Sequence, residues 1–333
     1  MGNGPDITGV SQTVPAGCAV DQVALVSRHG SRYPDPGAYN EWLALATKVQ
    51  NGTFSGPLAF LNDWSPPLTH PPDQIAQLSV TGYLETYTLG TQTRLRYPHL
   101  YADNTPFVVW ANSVQRTTDS ARLFARGFGG PNATTLGTVL TVDPKGIQAG
   151  GNSLATSDLC PRYVDTSGAS QYEYRQDLRY YYGTGPASGL PATLMLPYLN
   201  ATATLFLNGP GYTYSTGFTP PPIIVSYTHD NQINQIVTAL GVFNTTGPLP
   251  QIPKSGVYVR VRVNDAVYPL LECQNGPGKM CTLADFGRVI KAKVDQAGDF
   301  MTRCGLSSSQ TLSNGQTTIF WDTKLPWIKP VQP

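Results

Sequence analysis

The clearest pattern along the chain is a short apolar run that ends in polar residues and is followed by a segment with helical spacing. It occurs three times, in the runs Val23–Val26, Pro106–Ser113 and Ile223–Tyr227. Short apolar runs bounded by polar or turn residues are typical of buried strands. Repeated strand–helix units predict an α/β fold with a mostly parallel sheet flanked by helices. Ligands of such sheets bind outside the carboxyl ends of the strands, so we expect the polar residues after each run to converge on one pocket.

Helical spacing of apolar residues predicts the other elements of the chain. The predicted helices cover residues 38–49, 73–95, 114–128, 171–182, 190–206, 232–243 and 282–294. The alternating stretch Val257–Val263 and the stretch Val267–Leu271 predict a hairpin with its turn at Asn264-Asp265. The chain is rich in turn residues from 129 to 168, and from Gly305 onward it is rich in Ser, Thr, Gln and then Pro. We therefore expect the C-terminal residues to be loosely held.

The first run ends in the strongest chemical signal, the sequence RHGSRYP at residues 28–34. The planar guanidinium groups of Arg28 and Arg32 can bind phosphate oxygens bidentately, and Gly30 lets the backbone approach an anion. Two nearby cations favour the neutral form of His29, whose free lone pair can attack phosphorus. The triplet R-H-G alone is more often an exposed turn with solvated arginines. The longer pattern R-H-G-x-R-x-P would arise by chance only about once in ten thousand chains of this length.

Three further residues complete a possible phosphate site. Arg116 falls in the first turn of the predicted helix 114–128, where a cation opposes the helix dipole unless an anion lies between them. Taken alone, it could equally be a surface arginine. His229 and Asp230 follow the third run. Displacement at a phosphomonoester needs a nucleophile, cations beside the equatorial oxygens and a proton for the leaving oxygen. These residues supply a candidate for each role, and no metal is required.

Composition narrows the class of protein. Of the 333 residues, 13% are charged and the net charge is +1, so there is no general basic field for nucleic acid or an anionic membrane. No apolar run approaches membrane-spanning length, and the start MGNGPDITGV lacks the order of a signal peptide. We expect any signal segment to have been removed or left out, because five cysteines and four N-x-S/T sequons favour a secreted glycoprotein. The sequons are at Asn51, Asn132, Asn200 and Asn244.

Several segments between Cys18 and Cys304 resemble, in the same order, blocks of the histidine acid phosphatases of the phosphoglycerate mutase-like superfamily, in particular fungal phytases. They are RHGSRYP, LSVTGYLE, SVQRTTDSARLFARGF, YYYGTG, SYTHDN, LLECQNGPGKMCTLADF and GDFMTRC. The resemblance implies a histidine phosphatase fold, in which a smaller helical domain lies beside the α/β domain. It also implies acid phosphatase activity without a cofactor, in a secreted, glycosylated protein.

The resemblance also implies roles for individual residues. His29 forms a phosphohistidine intermediate that water hydrolyses, and Asp230 protonates the leaving oxygen. The phosphoryl-binding side chains are Arg28, Arg32, Arg116 and His229. The implied disulfides are Cys273–Cys281 and Cys160–Cys304, which leaves Cys18 unpaired.

The chain departs from the family pattern in three places. It is shorter between Cys160 and Gln171, where the family carries helices of the helical domain, and again between Asn244 and Val257, where the family has the partner of Cys18. The helical domain is therefore expected to be reduced. Asp35 follows Pro34 where many phytases have Thr or Ser and then lysines. A carboxylate near the mouth of the site would repel a polyanion, which leaves phytate specificity open.

These observations predict four regions of the chain. They are a first part of the α/β domain with the nucleophile loop (1–128), a reduced helical or cap region (129–218), a second part with the His-Asp motif (219–304) and a C-terminal tail (305–333).

The expected function is that of a secreted acid phosphatase that hydrolyses phosphomonoesters, with inositol hexakisphosphate as a phytase-type substrate. A broad-specificity acid phosphatase and a shortened member that binds phosphate without catalysis stay open as alternatives. Phosphoryl transfer as in the related mutases shares R-H-G but gives no reason for sequons and disulfides. We expect small phosphomonoesters as partners, a monomeric protein, and no cofactor, metal, nucleic acid or membrane.

Overall fold

The computed structural model describes residues 9–143, 152–155, 183–185, 191–242, 256–306 and 316–333. The strands are β1 (Val23–Arg28), β2 (Phe107–Asn112), β3 (Gly137–Val142), β4 (Ile223–Thr228), β5 (Tyr258–Val259), β6 (Val261–Val263), β7 (Ala266–Tyr268), β8 (Cys281–Thr282) and β9 (Ile328–Val331). Five of them form a central sheet in the order β1-β4-β2-β3-β9. The first four run parallel and β9 runs antiparallel to β3. The predicted mostly parallel α/β sheet is confirmed.

Helices follow three of the parallel strands directly, as predicted. The α-helices are α1 (Pro36–Gln50), α2 (Pro71–Gln74), α3 (Val80–Arg96), α4 (Gln115–Gly129), α5 (Ala133–Leu136), α6 (Pro191–Leu194), α7 (Leu196–Asn208), α8 (Asp230–Leu240), α9 (Leu283–Ala297) and α10 (Phe300–Cys304). Short 3₁₀ helices cover Gly56–Asp63, Pro98–Leu100, Gly130–Asn132 and Pro277–Lys279. Helices α1, α4 and α8 come immediately after β1, β2 and β4. None of the described helices is long and apolar enough to cross a membrane.

The central sheet is covered on both faces, which explains why β2 and β4 are nearly continuous apolar runs. Every residue of β4 is buried. Val225 and Tyr227 belong to a core cluster with the buried face of α4, whereas Ile224 belongs to a larger cluster with α7, α8 and α9. Successive side chains of one strand thus serve opposite layers, as the period of two requires.

Helix α3 begins later than the predicted start at residue 73. Ala76 has a positive φ of 64°, which ends the short helix α2. Ser79 then caps α3, because its hydroxyl accepts a hydrogen bond from Gly82 N at 3.2 Å. The helical spacing of apolar residues continues across residues 75–79, so the spacing alone does not reveal the break between the two helices.

The expectation of a loosely held C-terminus is wrong for residues 316–333. Strand β9 lies at the edge of the sheet beside β3, another strand that the sequence did not predict. Trp110 Nε1 donates a hydrogen bond to Ile319 O at 2.9 Å, and Asn152 Oδ1 accepts one from Ile319 N at 3.0 Å. Trp327 Nε1 donates to Asn152 O at 3.0 Å. Long-range partners, which local composition does not reveal, therefore hold this segment.

The hairpin and one predicted disulfide are confirmed. Strands β6 and β7 pair around Asn264 and Asp265, which have φ values of 47° and 71° as a tight hairpin turn requires. Cys273 and Cys281 form a disulfide, and Cys18 is free. Cys304 is also disulfide-bonded, but its expected partner Cys160 lies outside the described residues. The predicted helix 171–182 and the sequon at Asn244 lie outside them as well, and the four-region division stays a prediction.

Candidate active site

The candidate site lies where β1 and β4 end side by side. Arg28 and Thr228 are paired in the last register of the two strands, and His29 N donates a hydrogen bond to Thr228 O at 3.2 Å. This pairing brings His29 and His229 together, with ring centroids 5.5 Å apart and ring planes at 68°. Both imidazoles are buried, with 4% and 9% of their surface exposed. Two residues 200 positions apart in the sequence thus lie side by side.

His29 has the tautomer of a nucleophile. Its Nδ1 lies 2.8 Å from Gly30 O, and because a carbonyl oxygen can only accept, Nδ1 carries the proton. The Nε2 lone pair is then available. Burial, together with the charges of Arg28, Arg116 and Arg32, lowers the pKa of His29 from 6.5 to about 4, although the hydrogen bond to Gly30 opposes the shift. The imidazole therefore stays neutral in mildly acidic solution.

Arg116 joins the site from the start of α4, as its predicted position required. Its Nη2 lies 3.4 Å from His229 Nδ1. A guanidinium can only donate, so Nδ1 of His229 accepts and its Nε2 carries the proton. Burial, followed by the charge of Arg116, lowers the pKa of His229 to about 3. Among the described residues, Nε of Arg116 is buried without a hydrogen-bond partner. The Nε–H of Arg116 and the Nε2–H of His229 can therefore both donate a hydrogen bond to an anion.

Arg28 and Asp230 form the more open part of the site. Arg28 Nη2 lies 4.0 Å from Asp230 Oδ2, and the two side chains are 47% and 37% exposed. Asp230 is the first residue of α8, whose N-cap is His229. The helix start thus directs one imidazole inward and sets a carboxyl group beside the solvent.

Arg32 is tied to Asp35 on the other side. Its Nη2 lies 3.2 Å from Asp35 Oδ2, and its Nη1 donates to Tyr33 O at 2.8 Å. The other carboxylate oxygen of Asp35 accepts from Ala38 N at 2.9 Å and caps α1. The bond from Ala38 lowers the pKa of Asp35 most, and the charge of Arg32 lowers it further against the effect of burial. The charge of Arg32 lowers the pKa of both His29 and Arg116.

The structure adds residues that the sequence did not single out, because their role is to hold the loop. Ser120 Oγ accepts from Gly30 N at 3.0 Å and donates to Arg116 O at 2.7 Å. Glu85 accepts from both Ser31 N at 2.8 Å and Ser31 Oγ at 2.9 Å. The only signal for them was position: Ser120 lies one turn after Arg116, and Glu85 lies in the segment LSVTGYLE.

The predicted site residues therefore fall into two groups. His29, Arg28, Arg32, Arg116, His229 and Asp230 meet at the carboxyl edge of the sheet. The sequon residues Asn51, Asn132 and Asn200 are exposed elsewhere on the surface. The geometry of the first group suits nucleophilic attack on a bound anion, with guanidinium groups around it and an acid near the exit.

Comparisons with known proteins identify the family of the chain. A family model, the histidine phosphatase superfamily (branch 2), matches residues 19–169 and 155–265. Acid phosphatase PHO1 of Komagataella pastoris is 26% identical over 403 aligned positions, covering 92% of this chain and 84% of that protein. Phytase PHO112 of Candida albicans is 24% identical, covering 95% and 87%. Because the 403 aligned positions exceed the 333 residues of this chain, the chain carries gaps in the alignment. Such gaps are expected if the chain is a shortened member of the family.

Solved structures share the fold. The phytase from D. castellii superposes with a TM-score of 0.79 at 22% identity, over 96% of this chain and 88% of that one. The phytase of Hafnia alvei in complex with myo-inositol hexakis sulphate has a TM-score of 0.51 at 15% identity, over 85% and 99%. The family match extends over both strand ends that build the site. The chain belongs to the histidine phosphatase superfamily, branch 2.

Proposed function

We propose that this chain hydrolyses phosphomonoesters through a phosphohistidine on His29, with inositol phosphates among its substrates. The observation that supports this most is the neutral imidazole of His29, hydrogen-bonded through Nδ1, beside three guanidinium groups. The names of the relatives, acid phosphatase and phytase, support the same class of reaction.

In the proposed first step, Nε2 of His29 attacks phosphorus and the bond from phosphorus to the ester oxygen breaks. The electron pair goes to the leaving oxygen, which takes a proton from the carboxyl group of Asp230. Arg28, Arg32 and Arg116 stabilise the equatorial oxygens, and the Nε2–H of His229 donates a further hydrogen bond.

In the second step, water attacks the phosphorus of the phosphohistidine and gives a proton to the Asp230 carboxylate. The bond from phosphorus to Nε2 breaks, and its electron pair returns to the imidazole. Phosphate leaves, and both His29 and Asp230 regain their starting states. No step requires a cofactor or a metal.

We also propose that the protein is secreted, N-glycosylated and monomeric. The exposed positions of Asn51, Asn132 and Asn200 support glycosylation, and the disulfide between Cys273 and Cys281 suits an oxidising compartment.

A rapid-quench experiment with radiolabelled aryl phosphate tests the proposed mechanism. We expect acid-labile, base-stable label on His29 in the parent protein and neither label nor turnover in His29→Ala. Turnover without labelled His29 would contradict the mechanism. Phosphate binding without any turnover would favour the alternative of a non-catalytic phosphate-binding protein.

A further inference from the structure

The carboxylate of Asp35 lies directly against the proposed phosphate site. It is 3.2 Å from the Arg32 guanidinium, and its side chain is 49% exposed whereas that of Arg32 is 22% exposed. Its charge also acts on Arg116, since the two groups shift each other's pKa. A fixed negative charge therefore stands beside Arg32 and acts electrostatically on Arg116, two of the proposed phosphate-binding cations.

This carboxylate is held in its ionised form. The backbone N–H of Ala38 donates to it at 2.9 Å from the first turn of α1, and Arg32 donates from the other side. Both interactions favour the charged state, and the pKa of Asp35 is lowered accordingly. Even in mildly acidic solution, the group remains an anion.

A charge at this place affects substrates unequally. A simple monoester brings one phosphate, which lies among the guanidinium groups and meets mainly cations. A polyphosphorylated polyol brings further phosphates a few ångströms away, and those nearest Asp35 meet a like charge. In addition, Asp35 occupies one donor of Arg32, which could otherwise serve a second phosphate.

We propose that Asp35 is a specificity-determining residue that makes the site discriminate against esters carrying further phosphates close to the one under attack. The inference rests on the proposed phosphatase function and deepens it. It predicts that the protein hydrolyses many simple monoesters, and that the side chain of Asp35 lowers kcat/KM for inositol hexakisphosphate relative to them.

The capping role of Asp35 must be separated from its charge. Asparagine and serine also cap helices well, so Asp35→Asn and Asp35→Ser can keep the bond to Ala38 while they remove the negative charge. Asp295→Asn is the matched control, because it removes an equal charge from an exposed pair with Lys291 on α9, outside the site.

The test measures kcat/KM for inositol hexakisphosphate and for p-nitrophenyl phosphate, and compares their ratio between proteins. At low ionic strength we expect both Asp35 variants to raise this ratio about threefold to tenfold, the effect of removing one nearby charge in a solvated site. The rise should shrink toward unity at about 0.5 M salt, where screening is strong. Asp295→Asn should keep the parent's ratio and its salt dependence.

Two results would overturn the inference: a ratio within about twofold of the parent's at low salt, or a rise that persists at high salt and is therefore not electrostatic. Failure of the proposed function looks different, since the parent would then hydrolyse neither ester. If the parent hydrolyses p-nitrophenyl phosphate and the Asp35 variants leave the ratio unchanged, only the role of Asp35 is refuted.

Discussion

At the scale of single residues, the proposed chemistry depends on the His29 imidazole staying neutral in acidic solution. An imidazole with an ordinary pKa of 6.5 is largely protonated in acid and cannot attack phosphorus. Burial and three neighbouring guanidinium groups remove this limitation for His29. The cations that we propose to bind phosphate thus also keep the proposed nucleophile neutral at low pH.

The pH dependence of activity follows from this lowered pKa. With His29 neutral above about pH 4, kcat/KM for an aryl phosphate should be lost only as the pH falls through that value, because protonation removes the attacking lone pair. A pH–rate profile at constant ionic strength provides the measurement. An acid limb near pH 6.5, the ordinary value for histidine, would contradict the assignment.

The proposed proton donor can be tested by varying the leaving group. General acid catalysis contributes about 10²–10⁴-fold, so Asp230→Asn should lower kcat for alkyl phosphates by about that factor. Aryl phosphates with activated leaving groups, such as p-nitrophenyl phosphate, need little help from an acid and should still form the phosphoenzyme at a rate closer to the parent's. Asp295→Asn serves as the control here too. Unchanged kcat on alkyl phosphates in Asp230→Asn would remove Asp230 from this role.

At the scale of elements, the sequence predicted the units that build the site better than those that close the sheet. Strands β1, β2 and β4 are apolar runs followed by helices, so local pattern was sufficient. Strand β3 has the sequence GTVLTV, in which glycine and threonines interrupt the apolar pattern. Strand β9 contains Pro330, which lacks an N–H and is tolerated because the strand lies at an edge. Pairing between distant segments, not local propensity, creates both.

The start of α3 is a structural support of the nucleophile loop. Ser79 donates to Ser31 O from both its N and its Oγ, at 2.9 and 3.0 Å. Gly82 packs so closely that a Cβ atom there would overlap the Ser31 carbonyl oxygen. Together with Glu85, these residues fix the loop that carries His29, and no spacing rule in the sequence pointed to them.

We therefore expect Gly82→Ala to impair the site although alanine favours helices. Its methyl group must push residues 30–32 away, which should lower kcat/KM at least tenfold and the free energy of unfolding by about 1–3 kcal/mol. Gly287→Ala, in the middle of α9, is the matched control. Its Cβ would lie 3.1 Å from Leu207 Cδ1, on an exposed side chain that can move, so we expect normal activity and a stability equal to or above the parent's. The measurements are kcat/KM and urea unfolding of both variants. Activity equal to the parent's in Gly82→Ala would show that the start of α3 does not hold the loop that carries His29.

At the scale of the whole molecule, the two ends of the chain meet the same sheet from opposite sides. Residues near 28 and 229 form one border of the site, while β9 closes the far edge beyond β3. Trp327 is 7% exposed, belongs to the larger core cluster and donates to the backbone of Asn152. The C-terminal segment is thus part of the core, and β9 lies three strand positions from β4, the strand that leads to His229.

This separation predicts that stability and catalysis can be changed independently at the C-terminus. Trp327→Ala removes a buried ring and its hydrogen bond, so the free energy of unfolding should fall by about 3–5 kcal/mol. Activity measured well below the unfolding midpoint should remain close to the parent's, because the site residues come from other segments. Lys329→Ala, at an exposed position of β9 two residues after Trp327, should change stability by less than about 0.5 kcal/mol. Urea unfolding with m-values, together with kcat on an aryl phosphate, measures both quantities. If Trp327→Ala unfolded at the parent's midpoint, residues 316–333 would not contribute to the core as described. A large loss of kcat in the folded variant would show instead that the far edge of the sheet affects the geometry of the site.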